Sequence, residues 1–389
     1  MSADQDPAFD LVIVGGGCAG LSLATLLADA GEACPRVLIV ERRAAYERDR
    51  TWCGWSSGSH RFSACADRSW SRWAVRAGGD TAIHAATDHV YEHIPSDAFY
   101  TEALAAIRAN PRVRLELGAE LVDVQERGDR VELALPNGPV TARTVVDTRP
   151  VPRPVRRAGD GAVLLQHFTG WEVELVAPLA DPETVTLMDF DVDQEGGLHF
   201  MYVLPLGPRR ALVESTVLSA SVLPRDWYER RIETYVSERL GTSIARVEYS
   251  EAGAIPMYVG ASAPGESAAG TIVRAGTAGG AVRASSGYAF HAIQRDAAHL
   301  AEQVLGGATE LRPRARGGLD GWMDRVFLAF LERSPERAPD AFLRLAQGVE
   351  ADVFARFMME RCRTLDRLRV VGCMPKVPFA REALAIACA

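Results

Sequence analysis

Apolar and polar positions follow three successive patterns along the chain. Residues 10–14, DLVIV, are a short continuous apolar run ahead of a glycine cluster, as in a parallel strand buried on both faces. LSLATLLADAG then repeats apolar residues at helical spacing and closes on Gly31, a helix stop. RVLIVE, ending at Glu41, reads as a second buried strand, so the opening segment predicts βαβ. VRLEL (113–117) and TVVDTRP (144–150) add strands, with a hairpin turn expected at Asn137-Gly138. Between about 160 and 268 the pattern changes to VLLQHFTGWEVEL, TVTLMDFDV, HFMYVLPL and RRALVESTVL. Alternation and β-branched residues there predict a largely antiparallel sheet. After TIVRAGTAGG the helical period returns in AFHAIQRDAAHLAEQVLG, and again at 323–333 and 340–358.

The glycine cluster has the spacing Gly15-x-Gly17-x-x-Gly20 between the first strand and the first helix. Gly15 allows a tight turn, Gly17 lets the backbone approach a pyrophosphate, and Gly20 lets helix and strand pack closely. The helix N-terminus faces the negative charge, and Glu41, about 20 residues on, suits ribose hydroxyls. That acid favours FAD or NAD over NADP. The layout favours FAD: after Glu41 the chain makes a long insertion before the strand ending near Asp147. It returns to glycines only at Gly276, Gly279 and Gly280. The predicted fold is α/β: a glutathione-reductase-type FAD-binding Rossmann domain, an antiparallel-sheet substrate domain and a helical C-terminal segment. Expected boundaries are 1–55, 97–160 and 269–310 for FAD, 56–96 and 161–268 for substrate, and 311–389 for the helices. An ordinary strand–turn–helix loop is the simpler reading of the second glycine site.

Composition narrows the class. A chain of 389 residues is long enough for two or three structural units and a ligand-enclosing core. With 48% hydrophobic and 24% charged residues, disordered and fibrous classes are excluded. A net charge of −8 argues against nucleic acid as a partner. Of 43 basic residues only Lys376 is a lysine, which reads as base-composition bias. The seven cysteines (18, 34, 53, 65, 362, 373 and 388) form no CxxC pair, which argues against a disulfide framework or structural zinc; no metal is expected. The start, MSADQDPAFD, is acidic and unlike a signal peptide. No apolar run reaches the roughly 18 residues that would span a membrane. A cytoplasmic protein is expected, with contact at a membrane surface left open.

The middle segment carries the candidate chemistry. Phe168, Trp171, Met188, Phe190, Phe200 and Tyr202 point to an apolar ligand, or equally to a packed sheet core. Glu214, in LVESTVLS, and Asp189, in LMDFDV, are carboxylates within apolar strands. Burial raises a carboxyl pKa and makes it a proton donor near neutral pH. An outward-facing residue or an arginine partner is the ordinary alternative for each.

These segments together resemble the FAD-dependent lycopene cyclase family in its bacterial branch. The resemblance is carried by DLVIVGGGCAGLSLA, RTWCGW (50–55), YEHIPSDAFYTEAL, VVDTRP, QHFTGWEVE, MDFDVDQ, FMYVLPL, LVESTVLS, GTAGGAVRASSGYAFHAIQ, MDRVFLAFLERSPERAPDAFLRL and MPKVPF, in matching order. It implies redox-neutral closure of the ψ-ends of lycopene, or a related acyclic carotenoid, to β-rings, with reduced FAD and NAD(P)H as electron donor. It implies Glu214 as the general acid and Asp189 or Glu172 as a second carboxylate. It implies cofactor contacts at Ala19, Arg50, Thr51, Trp52 and Asp147 beside the glycines and Glu41. It implies substrate contacts at Trp171, Phe190, Phe200, Tyr202 and Tyr288. Relatives often carry a second acid after the glutamate, where this chain has Ser215, and Phe-Trp where it has Gly54-Trp55. An insoluble substrate implies a tunnel opening toward a bilayer, with the helices at 323–333 and 340–358 as membrane-interface elements. Alternatives are a cyclase of another prenyl or carotenoid substrate, and a geranylgeranyl-reductase-like flavoenzyme. An aromatic-hydroxylase-type monooxygenase normally has Gly-Asp where this chain has Gly276-Thr277. A non-catalytic carotenoid-binding protein would not need Glu214.

Overall fold

The computed structural model describes residues 7–58, 60–150, 164–257, 270–314 and 318–387. The boundaries expected at 160/161 and 268/269, and Cys388, lie outside the described residues. The other six cysteines are free thiols.

β1 (Phe9–Val14), α1 (Cys18–Asp29) and β2 (Val37–Glu41) form the expected βαβ unit, with β1 and β2 parallel. Both strands are buried on two faces, which is why they read as unbroken apolar runs. β3 (Thr51–Ser56), β4 (Arg68–Trp70), β5 (Arg72–Ala77), β6 (Asp80–Ala85) and β7 (Val90–Pro95) make up the insertion. Of these, β3, β7 and β4 form a small antiparallel sheet. α2 (Ser96–Ala109) leads back to the first sheet through β8 (Val113–Leu117), β9 (Asp123–Arg127), β10 (Arg130–Leu135) and β11 (Gly138–Asp147). The order is β8-β2-β1-β11-β10-β9, and the β10–β11 turn at Asn137-Gly138 is the expected hairpin.

β12 (Leu164–Leu175), β13 (Thr184–Asp189), β14 (Leu198–Pro205), β15 (Arg210–Ser219) and, after α3 (Arg225–Glu238), β16 (Ile244–Met257) build the second sheet. Its order is β16-β12-β15-β14-β13-β5-β6, antiparallel except where β13 meets β5. The insertion thus supplies the sheet's edge hairpin. β17 (Ile272–Arg274) then joins the first sheet beside β11, bringing the second glycine site and α4 (Phe290–Leu305) to the first.

Every residue of β14 is buried, because both faces of the second sheet are covered. One face carries Val173, Met201, Val203 and Val213 against Ile232, Tyr235 and Val236 of α3. The other carries Phe200, Tyr202, Leu204 and Leu212 against Trp55, Tyr91 and the C-terminal helices. Those are α5 (Gly318–Arg333), α6 (Ala338–Gly348), α7 (Ala351–Met358), α8 (Thr364–Cys373) and α9 (Lys376–Ala387). The helix expected at 340–358 is broken at Val349, which is extended. A Cβ on Gly348 would lie 2.2 Å from the Cys373 Sγ, so the close approach of α8 requires glycine there.

The apolar residues of 323–333 and 340–358 are spent largely on this packing rather than left for lipid: Leu328, Phe330, Leu343, Val353 and Phe354 are buried in the core beside the sheet. Exposed apolar residues lie instead at Leu365, Leu368 and Val371 of α8 and Val377 and Leu384 of α9. Among the described residues no helix is long and apolar enough to cross a membrane.

Candidate active site

The glycine loop and Glu41 meet as expected. The Gly16 N–H donates to Glu41 Oε2 at 2.6 Å. Burial would raise the Glu41 carboxyl, but Arg43 and the backbone N–H donors outweigh it and hold the group below its usual range. Arg43 and the Tyr46 hydroxyl both donate to the Gly16 carbonyl, at 2.9 and 2.8 Å, and Thr148 Oγ1 donates to Gly15 O at 2.9 Å. These clamps follow no recognisable motif. A Cβ on Gly20 would lie 1.9 Å from Gly15 O, so glycine there is a packing requirement. Gly17 is different: nothing lies within 4 Å of its would-be Cβ. It caps α1 without a side-chain hydrogen bond, so no side chain covers the first N–H groups of the helix. The second site closes on the first. Gly276 has φ +66° and would place a Cβ 2.7 Å from that of Ala19. Asp147 is buried at the end of β11, with its carbonyl accepting from Ala275 N at 3.0 Å. An uncapped helix start, an open approach at Gly17 and a buried acid at the β2 end fit an FAD pyrophosphate and ribose.

Around this cradle the other expected contacts divide. Arg50 reaches the start of α1, where its charge acts on the Cys18 thiol, although its hydrogen bonds go to Asp49. Trp52 is partly buried and packs beside Phe99, Tyr100 and Phe290 at centroid distances of 5.1, 6.1 and 5.7 Å. Thr51 starts β3 beside the second sheet.

Glu214 sits mid-strand in β15, 9% exposed. Strand register puts it directly opposite Tyr202 of β14 and Gly170 of β12. Burial pushes its carboxyl up to about 8, partly opposed by the Thr216 hydroxyl, which donates to Glu214 Oε1. It is therefore a carboxylic acid at neutral pH. Tyr202, Tyr91 and Tyr288 join their hydroxyls in a buried chain, 2.9 Å from Tyr91 to Tyr202 and 2.8 Å from Tyr91 to Tyr288. Trp55 packs edge-on to Tyr91 and Tyr288. Phe200 and Phe190 extend the aromatic wall, 5.5 Å apart, and Phe190 stacks on Phe342 of α6. Four of the five expected substrate residues thus share one apolar region with Glu214. A pocket beside it is lined by Cys53, Gly54, Trp55, Tyr288, His291 and Met358.

The family model described as "Lycopene cyclase protein" matches residues 10–384. This chain belongs to the lycopene cyclase family. It is 25% identical to a lycopene beta-cyclase from Pantoea ananas, over 98% of this chain and 99% of that protein. It is 29% identical to a lycopene beta-cyclase from a Paracoccus species, over 71% of each. The fold is that of flavoproteins. A "geranylgeranyl bacteriochlorophyll reductase-like" structure from Thermoplasma acidophilum superposes with a TM-score of 0.59 at 12% identity, covering 97% of this chain and 99% of that one. A "probable FAD-dependent monooxygenase" from Pseudomonas aeruginosa gives 0.55 at 18%, covering 94% and 99%.

The chain's departures from the family pattern have structural reasons. A Cβ at Gly54 would meet His291 Cδ2 at 2.9 Å, so the imidazole occupies space that a larger residue 54 would need. Ser215 follows Glu214 on an extended strand and so points to the opposite face, where its hydroxyl meets His199 Nε2 at 3.0 Å. Asp189 and Trp171 also miss the Glu214 face. Asp189 is wholly buried toward α3 and accepts from Tyr235 at 2.8 Å, Arg239 at 3.3 Å and Arg76 at 3.4 Å. Trp171 packs with the Val173–Val213 cluster on that side. Odd-numbered residues of β12 and β15 share the α3 face, and a register shift between Thr186 and Asp189 turns Asp189 to that face although Val185 and Leu187 point to the other one. Asp189→Ala is expected to lower stability by about 1–3 kcal/mol, by stripping buried donors of their acceptor. Turnover per folded molecule is expected to stay normal; denaturation midpoints and an assay corrected for bound FAD check this.

Glu172 does reach the Glu214 face, but it is committed to Arg48 and lies 3.8 Å from His93. Residues the sequence pattern missed are Glu251, Tyr91 and His291. Glu251 lies on β16, opposite Gly170. His291, His60 and Glu92 have ligand-capable atoms within 4.8 Å of one another, and His60 Nε2 is 3.1 Å from Glu92. Burial pushes the His291 imidazole down to about 3, so it is neutral.

Proposed function

We propose that this chain closes the ψ-end groups of lycopene, or a related acyclic carotenoid, to β-ionone rings with no net redox change, using reduced FAD. The observation that carries the reading is Glu214: a neutral carboxylic acid on an aromatic-lined sheet face, in a chain of the lycopene cyclase family. The Glu214 O–H protonates the terminal alkene. The resulting cation is attacked by the neighbouring double bond, which forms the ring C–C bond, and loss of a proton then gives the ring alkene. The apolar wall of Phe190, Phe200, Tyr202 and Tyr288 orients the chain end and keeps water from the cation. Bound reduced FAD supplies negative charge to oppose the developing cation. Gly15, Gly17, Gly20 and the start of α1 would hold its pyrophosphate, Glu41 its ribose, and Gly276–Gly280 the flavin side. NAD(P)H is the proposed electron donor. The discontinuous FAD and substrate units with a helical C-terminal segment are proposed as the domain organisation.

The membrane surface is the proposed source of substrate. Leu365, Leu368, Val371, Val377 and Leu384 are exposed near Arg369, Lys376 and Arg381, the pairing that interfacial helices use. One experiment addresses these points together. The purified protein, FAD and lycopene-loaded liposomes are incubated without oxygen, with NADPH in one arm and dithionite in the other. A mass-neutral product with a blue-shifted spectrum is expected in both arms, and the protein should float with the liposomes on a density gradient. A gain of two or four hydrogens would make the chain a reductase. Product only with dithionite removes NADPH as donor, and protein left at the bottom removes the membrane part.

A further inference from the structure

We infer that Glu251 is the base that completes the ring closure Glu214 begins. The inference rests on the reading of Glu214 as general acid and adds the fate of the second proton. Its geometry comes from strand register. Gly170 of β12 faces Glu214 of β15 on one side and Glu251 of β16 on the other. Directly opposed residues of antiparallel strands point to the same face, so the two carboxyls flank a position with no side chain. Two strand spacings separate their Cα atoms by roughly 10 Å, with the glycine leaving a notch between them. A side chain there would crowd the β15 side of the notch: a Cβ at Gly170 would meet Leu212 Cδ1 at 3.3 Å and Glu214 Cβ at 3.5 Å.

The surroundings of Glu251 suit a base. Glu172 takes the Arg48 guanidinium, so Glu251 has no ion-pair partner among the described residues. It accepts from Tyr249 Oη at 3.4 Å, and Arg48 stacks 4.2 Å from the centre of that tyrosine ring. The ionisable groups acting on Glu251 are Glu214 on β15, Glu172 on β12, Tyr249 on its own strand, His93 on β7 and Arg48 before β3. Burial raises its carboxyl, with the Thr51 hydroxyl, His93 and Arg48 opposing. Two carboxyls on one sheet face, each raised by burial, favour sharing a single proton.

The step balances. The Glu214 proton forms the new C–H bond on the terminal alkene carbon. The ring C–C bond forms from the second double bond. The C–H pair beside the resulting cation becomes the ring alkene, and its proton goes to Glu251. Glu251 ends protonated and Glu214 ionised; moving one proton between them restores the starting state, and the carotenoid keeps its formula.

The test compares kcat against pH for wild type, Glu251→Gln and Glu214→Gln, all with FAD bound. Glu251→Gln is expected to retain FAD, lose about a hundredfold in kcat and lose the acid-side limb of the profile, which a merely structural residue would not remove. Wild-type kcat with that limb intact in Glu251→Gln overturns the inference and leaves Glu214 standing. Wild-type kcat in Glu214→Gln overturns the underlying reading. Should Glu251→Gln fail to hold FAD, Glu251→Asp decides. It is expected to keep the limb but turn over about tenfold or more slowly, because its carboxylate is withdrawn. Wild-type turnover in Glu251→Asp overturns the inference.

Discussion

Glu214→Gln is expected to abolish ring formation, with turnover down at least 10²- to 10⁴-fold, the range general-acid catalysis supplies. FAD content should be unchanged, because the glycine loops belong to the other sheet. Glutamine matches the carboxylic acid in shape but has no acidic proton to deliver to an alkene. The same carboxyl predicts the pH dependence. Burial raises it to about 8, so the active acid form persists below pH 8 and is lost as pH rises through that value. Stability moves the same way. A carboxyl raised from 4.5 must either stay protonated or be buried as an anion, so its contribution falls between pH 4.5 and about 8. Glu214→Gln is therefore expected to melt above wild type at pH 9 while being inactive. Lycopene conversion followed by HPLC and melting temperatures against pH check both halves. A Gln variant that still cyclises, or wild-type activity rising past pH 8, contradicts the assignment.

Gly20→Ala is expected to cost the protein its FAD. The new Cβ would lie 1.9 Å from Gly15 O in the cofactor-facing turn and 3.1 Å from Ile13 Cγ2 on β1. α1 has to move away from β1, which costs about 1–3 kcal/mol and opens the turn. Gly17→Ala separates packing from ligand approach. Nothing lies within 4 Å of its would-be Cβ, so the protein without FAD should keep wild-type stability. FAD should still bind weakly, because the methyl stands where a pyrophosphate approaches. Thermal melts with and without FAD, and flavin absorbance after gel filtration, distinguish the two variants. Equal behaviour of both would show that the two glycines do one job.

The FAD-binding half was legible in the sequence because its determinants are local. Gly15, Gly17, Gly20 and Glu41 act through a turn, a helix start and the next strand, all within one βαβ unit. The strand ending at Asp147 and the glycines at 276–280 repeat that logic. The clamps Arg43, Tyr46 and Thr148 were not legible, since any donor reaching the Gly16 or Gly15 carbonyl would serve.

In the second sheet the sequence determined that Glu214 is a carboxylate among apolar neighbours, and alternation determined that Glu214 and Ser215 face opposite ways. It did not determine which face holds the aromatic wall. Asp189 and Glu214 look alike in sequence, each a lone acid in an apolar strand. Register and the layers packed on the sheet separate them: Asp189 turns to Tyr235 of α3, Arg239 just past it and Arg76 of β5, and Glu214 turns to Tyr202 and the face that the C-terminal helices cover. Glu251 was invisible because β16 reads as a polar strand, and its meaning comes from lying across Gly170 from Glu214. Local backbone chemistry is written in neighbouring residues. The pairing of side chains from distant strands is set by register and burial, which exist only once the sheet has formed.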